Sequence, residues 1–372
     1  MSPLATDPAG RGTGGGRRRA ARWPLLLVLP LLLLAVAELV LRATDVVELG
    51  KGSTREQIQF NEAGMFVEVE DPRLSYRNKP LASTTVGGIR YAHDDRGRRL
   101  VPSQFRKPLP GVAFLGDSTT YGLGVAAEHS LPAQVAARLG HAIRPLNLGV
   151  NGYTTAQALQ LYREEHDQLG DTPVVVLVWF PNDMAPAPFR WDEGSSLMYL
   201  DRLPLPRGLR KTLWNVELYR ALVSWHGGRL VDAGWGDPNV ESNWGPSLAA
   251  LAQLAEEVSD AGRTLLVAAL PAMESLDPYL FEAPLRAVER RCAELGLPFV
   301  DLLPPFLAER EREMAAYERA HGAPADEVLV SGFLSRYWVH DPLDHHLNAE
   351  ATALAADELA RALTPLLELD GP

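Results

Sequence analysis

The chain has 372 residues, 46% of them hydrophobic and 22% charged, so it can bury a sizeable core and is not a disordered acidic polymer. A formal net charge of -11 with no basic stripe excludes a nucleic-acid partner held through its phosphates. Cys292 is the only cysteine, which excludes an intramolecular disulfide, a CxxC redox pair and a cysteine-rich zinc site; at about 150 residues per domain the length fits one large or two ordinary domains.

Residues 1–23 form a basic tail, with Arg11, Arg17, Arg18, Arg19 and Arg22 against Asp7 alone. It leads into the apolar run 24–42, whose only charge before Arg42 is Glu38. A spanning helix wants about 20 apolar residues, whereas a signal-peptide core wants about 7 to 15 and a small-residue cleavage site. Ala35-Val36-Ala37 offers such a site, but the run continues through Leu39, Val40 and Leu41, and Arg42 is placed to pair with Glu38 one turn earlier. The expectation is an uncleaved transmembrane anchor, with the N-terminus cytoplasmic as the flanking arginines require and everything from Thr44 onward extracytoplasmic. Secretion after cleavage near Ala37 is the alternative, and a buried core helix fits the arginine cluster worse.

Residues 45–110 mix Lys, Arg, Asp and Pro with no long periodic run and read as a lead-in of short strands and turns. From Gly111 the pattern changes. Apolar, often β-branched runs at Val112–Leu115, Arg144–Leu148, Val174–Phe180, Thr264–Leu270 and Pro298–Leu303 alternate with helical stretches near 129–140, 155–169, 246–261, 279–295, 304–320 and 348–367. That alternation predicts a three-layer α/β/α domain over 111–367 with a five-stranded parallel sheet. Gly262 and Gly296 follow two of the helices as stops, and Cys292 reads as a small helix residue rather than a reactive thiol. The stretch 184–243 interrupts the alternation as an insertion. Its tryptophans, Trp191, Trp214, Trp225 and Trp235, with Trp244 just beyond, suit either a satellite core or stacking on sugar rings.

The first strand ends in Gly116-Asp117-Ser118, and in open α/β sheets ligands bind at the carboxyl ends of strands. Ser118 is therefore a candidate nucleophile, although a serine at a strand end is also a common helix cap. A base is available in His340-Asp341-Pro342-Leu343-Asp344-His345-His346-Leu347-Asn348, directly before the last helix. An imidazole there takes the serine proton, and a nearby carboxylate fixes its tautomer. The turn Gly149-Val150-Asn151-Gly152-Tyr153 offers backbone N–H groups, and Pro181-Asn182-Asp183 a side-chain amide, to a developing oxyanion. Each turn alone is an ordinary loop signal. A hard-metal site built from His340, Asp341, Asp344, His345 and His346 is a lesser alternative, and Gly116-Asp117-Ser118-Thr119-Thr120 lacks the second glycine of an α/β-hydrolase elbow.

Taken together, the four blocks resemble the SGNH, or GDSL-type, family of serine esterases and acyltransferases, over about residues 111–365. The resemblance implies a flavodoxin-like domain with Ser118 as nucleophile, His346 as base and Asp344 as its partner, and Ser118 N–H, Gly152 N–H and the Asn182 amide as the oxyanion hole. Asp341 with His345 is the rival pairing, but His346 is the one followed by Leu347-Asn348. The lead-in, with Asp71-Pro72-Arg73-Leu74-Ser75-Tyr76 and Arg96-Gly97-Arg98, looks like that of membrane-anchored members. The string Asp344-His345-His346 also resembles the DHH phosphoesterase signature, which in that family lies near the N-terminus instead. The expected activity is hydrolysis of an O-acyl ester, most simply O-acetyl, on a cell-envelope glycan or lipid, with no metal or organic cofactor. Acyl transfer to a polysaccharide through the same triad and a non-catalytic glycan- or partner-binding envelope protein are the alternatives.

Overall fold

The computed structural model describes residues 22–44, 59–61, 63–102, 109–185, 190–192, 197–199, 205–213, 215–232, 237–324, 336–340 and 344–369. The chain begins with helix α1 (Arg22–Thr44), then two antiparallel ribbons, β1 (Phe66–Glu68) with β2 (Tyr76–Asn78) and β3 (Ser83–Val86) with β4 (Ile89–Ala92). Next come β5 (Gly111–Gly116), α2 (Ser118–Tyr121), α3 (Leu131–Arg138), β6 (Arg144–Asn147), α4 (Thr155–Glu165) and β7 (Val174–Trp179). The inserted stretch holds the ribbon of β8 (Arg190–Asp192) and β9 (Leu197–Tyr199) and helices α5 (Arg207–Leu213) and α6 (Glu217–Asp232). The remainder is α7 (Gly245–Asp260), β10 (Thr264–Ala269), α8 (Glu282–Leu295), β11 (Phe299–Asp301), α9 (Leu303–His321), the ribbon of β12 (Trp338–His340) and β13 (Asp344–Leu347), and α10 (Ala349–Leu366).

The sheet has five parallel strands in the order β11-β10-β7-β5-β6, the doubly wound arrangement of flavodoxin-like folds. Its two central strands, β5 and β7, are buried along their whole length, which is why GVAFLG and VVVLVW show no polar alternation. Helices α4 and α7 pack together in one layer, and α3 and α10 in the other. Arg163 of α4 joins Glu257 of α7, and Arg138 of α3 joins Asp357 of α10 at 2.8 Å. All five predicted strands are present. Helix α8 starts later than its periodicity suggests, because Tyr279 pairs with Leu276 in a bridge and its hydroxyl accepts the Ala272 N–H. Cys292 lies on α8 with its thiol pushed up to about 12 by burial, as suits a packing residue.

The lead-in is woven into the same core. Phe60, Met65, Phe66, Leu74, Tyr76 and Tyr91 join the cluster that contains Tyr121, Tyr153 and the sheet. Arg96 and Arg98 reach across to Glu165, which is 1% exposed, at 2.8 and 2.6 Å. Between them Gly97 has φ +86°, and a Cβ there would lie 2.4 Å from the Asn78 carbonyl oxygen. The Arg96-Gly97-Arg98 string is thus a clamp from the lead-in onto α4.

The anchor expectation falls on helix α1. Among the described residues no helix is long and apolar enough to cross a membrane. The side chains of α1 are described from Val28 to Thr44 only. Glu38 and Arg42 do pair, at 2.7 Å. The basic tail before residue 22, Asp341, Trp214 and Trp235 lie outside the described residues, as do the side chains of Trp191, His340, Asp344 and His345. Trp244 is buried in the core, its indole N–H donating to the Pro238 carbonyl at 2.8 Å, whereas Trp225 is 57% exposed.

Candidate active site

Strand β5 delivers Ser118 at the start of the four-residue helix α2. The turn between them is sterically tight. Gly116 has φ +153°, and a Cβ there would lie 2.2 Å from Thr120 Oγ1 and 2.7 Å from the Val178 carbonyl oxygen. Asp117 caps the helix, its Oδ1 accepting from Thr119 N–H at 2.8 Å and from the Thr119 hydroxyl at 2.6 Å. Ser118 is 8% exposed. At a helix N-terminus its own backbone N–H needs a partner from outside the helix.

The far end of the chain supplies the base. His346, on β13, places Nε2 2.8 Å from Ser118 Oγ. With its proton on Nδ1, the ring accepts the serine O–H. The next elements fix this strand. Asn348 caps α10, its Oδ1 accepting from Glu350 and Ala351 N–H, while its Nδ2 donates to the carbonyls of Arg336 and Trp338 at 2.6 and 3.2 Å. Thr352, one turn into α10, donates to the His129 carbonyl at 2.8 Å. Val339 of β12 lies where a Cβ on Gly124 would be, 2.5 Å away, so the ribbon carrying His346 rests on the loop that follows α2. The backbone of Asp344 pairs with His340 in that ribbon.

Two further turns converge at the same strand ends. After β6, Leu148 and Val150 N–H donate to the carbonyls of Phe114 and Gly116, laying the glycine turn along the nucleophile strand. Gly149 is pressed against α2, so that a Cβ would lie 2.3 Å from the Tyr121 nitrogen, and Gly152 takes φ +73°. After β7, Asn182 sits in a single 3-10 turn, Pro181–Met184, and its Nδ2 donates to Asp117 Oδ2 at 3.0 Å. One amide hydrogen is therefore engaged by the residue beside the nucleophile, and Asn182 Oδ1 is buried without a hydrogen-bond partner. Asp183, the next residue, is 1% exposed and accepts from Thr155 Oγ1 at 3.1 Å. Burial and the neighbouring Asp117 charge push its carboxyl well above the usual range. The structure thus gathers Ser118, His346, Gly152 and Asn182 at the carboxyl ends of β5, β6 and β7, while the side chain of Asp344 lies outside its description.

Four residues of the lead-in support the site in ways that a reading of the motifs does not show. Arg99 is 2% exposed, and its guanidinium donates to the carbonyls of Tyr121, Gly122 and Val125, closing the C-terminus of α2. It lies 4.9 Å from the ring centroids of both Tyr91 and Tyr121. His93 bonds the Tyr121 hydroxyl through Nε2 at 2.9 Å. Asn78 Nδ2 donates to the Gly149 carbonyl at 2.9 Å, and Tyr76 O–H to that of Asn151. The lead-in thus braces both the nucleophile helix and the glycine turn. Its only signal in the sequence is a pair of short strings far from Ser118. Among the described residues no group of His, Cys, Asp or Glu side chains is arranged to hold a metal ion.

Solved structures with similar folds include TesA (15% identity, 69% of this chain and 99% of that one, TM-score 0.38). Another is a catalytic mutant of Axe2, an acetylxylan esterase from Geobacillus stearothermophilus (14% identity, 73% and 97% coverage, TM-score 0.37). A third is a carbohydrate acetylesterase family member from Sinorhizobium meliloti (16% identity, 70% and 100% coverage, TM-score 0.34). No curated protein matches the chain. The GDSL-like lipase/acylhydrolase family matches residues 114–353, which run from the nucleophile strand to the first turn of α10. The chain belongs to that family and is an ester hydrolase.

Proposed function

We propose that the protein is a serine esterase that removes acyl groups, O-acetyl in the simplest case, from a cell-envelope glycan or lipid. The observation behind this reading is the 2.8 Å contact between His346 Nε2 and Ser118 Oγ, made by residues 228 apart in sequence at the carboxyl ends of the sheet strands. Ser118 Oγ attacks the acyl carbonyl while His346 takes its proton, then returns it to the leaving alcohol. Asp344 accepts the Nδ1 proton of His346 and stabilises the imidazolium. Its place two residues before His346, the histidine followed by Leu347-Asn348, favours it over Asp341. The N–H groups of Ser118 and Gly152 and the Asn182 amide hold the oxyanion, and water then hydrolyses the acyl-enzyme.

The substrate is reached from a membrane. Apart from the paired Glu38 and Arg42 the described side chains of α1 are almost all apolar, and those before Ala37 are all exposed, which is the pattern of a helix solvated by lipid. The arginine cluster ahead of it orients the N-terminus to the cytoplasm and the esterase domain outside. The test is hydrolysis of p-nitrophenyl acetate, butyrate and octanoate by the full chain, alongside Ser118→Ala and His346→Ala. Both variants should lose about 3 orders of magnitude or more in kcat, given the losses typical of triad members. Equal rates in all three proteins, with no labelling of Ser118 by a fluorophosphonate, would reject the assignment. A carboxyl-terminal Asp344→Asn variant that keeps full activity would transfer the acid role to another residue.

A further inference from the structure

Glu38 does more than pair with Arg42. Its two carboxylate oxygens accept the backbone N–H groups of Glu217 and Leu218, both at 3.0 Å, so a residue of α1 caps the N-terminus of α6 in the insertion. Arg42 returns the contact by donating to the Asn215 carbonyl at 2.5 Å. The two helices pack together, and Ala37, Glu38 and Leu41 are the described α1 residues that are less than fully exposed along the stretch. Tyr219 and Val223 of α6 are buried, 8% and 7% exposed, yet stand outside the main core cluster. Along the edge of that face Leu222 is 45% and Trp225 57% exposed, and the Arg229 guanidinium lies 5.0 Å over the Trp225 ring.

A water-facing helix does not normally continue its buried face into an exposed leucine and tryptophan. Position in the chain says what covers them. Glu38 stands six residues before the end of α1 at Thr44, about 9 Å along the axis at 1.5 Å per residue. A helix fastened at that height on a membrane anchor starts near the boundary between acyl chains and headgroups. We infer that α6 is an interfacial helix, with Leu222 and Trp225 seated in the outer-leaflet boundary of a phospholipid bilayer beside α1. Tryptophan is the side chain most at home at that depth, and Arg229, stacked on it, reaches phosphate. The insertion then holds the esterase domain against the membrane, and its substrates are acyl esters at or near the lipid surface. This inference rests on the anchor reading of α1.

The experiment uses the full chain reconstituted in phosphatidylcholine vesicles, with a bimane fluorophore on Leu222→Cys, Trp225→Cys, Leu32→Cys or Arg361→Cys. Cys292 is buried and Arg361 is 64% exposed on α10, so each label reports its own position. Ester hydrolysis at the unlabelled rate confirms that each labelled chain is folded. Lipids with a doxyl group near the headgroup should quench positions 222 and 225 at least twofold, those with a doxyl deep in the acyl chain should quench position 32, and neither should affect position 361. Quenching at 32 without quenching at 222 and 225 overturns the inference and leaves the anchor intact. No quenching at 32 overturns both. A blue-shifted but unquenched label at 222 means that another protein surface, including a second copy of this chain, covers α6, which also overturns it.

Discussion

Acid should loosen the braces around the nucleophile, through His93. This residue is 3% exposed, with Nδ1 2.9 Å from the Lys79 carbonyl oxygen and Nε2 2.9 Å from the Tyr121 hydroxyl. A carbonyl only accepts, so Nδ1 holds the ring proton, Nε2 accepts from Tyr121, and the ring is neutral. Burial, with the Arg99 charge beside it, lowers its pKa from 6.5 to about 4. Between those values the unfolded chain binds a proton that the folded chain does not, so stability is complete above pH 6.5 and drains away as pH falls toward 4. At about 1.4 kcal/mol per tenfold in proton activity, the loss is about 2 kcal/mol by pH 5 and about 3 kcal/mol by pH 4. His93→Gln removes the titration while keeping an amide for the same partners. Urea unfolding followed by tryptophan fluorescence at pH 5, 6, 7 and 8 gives the stability difference between wild type and variant at each pH, in which other titrating groups cancel. That difference should shrink by about 2 kcal/mol between pH 8 and pH 5. A difference that stays constant across the range would mean that His93 is not a buried neutral ring, and the account of its bonds would fail with it.

Three other outcomes follow from the same geometry. Asp183 has the opposite sign: its folded pKa is raised, so wild type loses stability as pH climbs above the ordinary carboxyl range, and the urea midpoint of Asp183→Asn should gain on that of wild type over the same rise. Gly116→Ala puts a methyl 2.2 Å from Thr120 Oγ1 and against backbone, so fluorophosphonate labelling of Ser118 should fall by at least tenfold even where circular dichroism shows a folded chain. Asn348→Ala removes the cap of α10 and should cost about 1 kcal/mol in urea unfolding, with kcat falling more than KM rises because the strand carrying His346 loses its anchor.

Strands buried on both faces announce themselves, because nothing but apolar, often branched side chains survives there; β5, β7 and β10 were legible for that reason. The nucleophile turn was legible too, since Gly116 and Ser118 sit at a strand end where steric crowding leaves few alternatives. What holds that turn was not. Arg99 meets carbonyls at the end of α2 and in the loop after it from 22 to 26 residues upstream, and Asn78 meets Gly149 across 71 residues; contacts between an ordinary polar side chain and a distant backbone leave no periodicity to read. The lead-in therefore reads as short strands and turns ahead of the domain, although its aromatic residues complete the core. Glu38 likewise read as a charge answered by Arg42 one turn away, while its caps on Glu217 and Leu218 span 179 and 180 residues.

The 228-residue separation of Ser118 and His346 also sets when the enzyme can begin to work. A chain still being synthesised has its serine, glycine turn and asparagine in place long before the histidine exists, and that histidine is held only once α10 has packed on α3. Hydrolysis therefore starts after the last helix has docked. A cut between the strand carrying His346 and the first turns of α10 leaves the nucleophile without a held base.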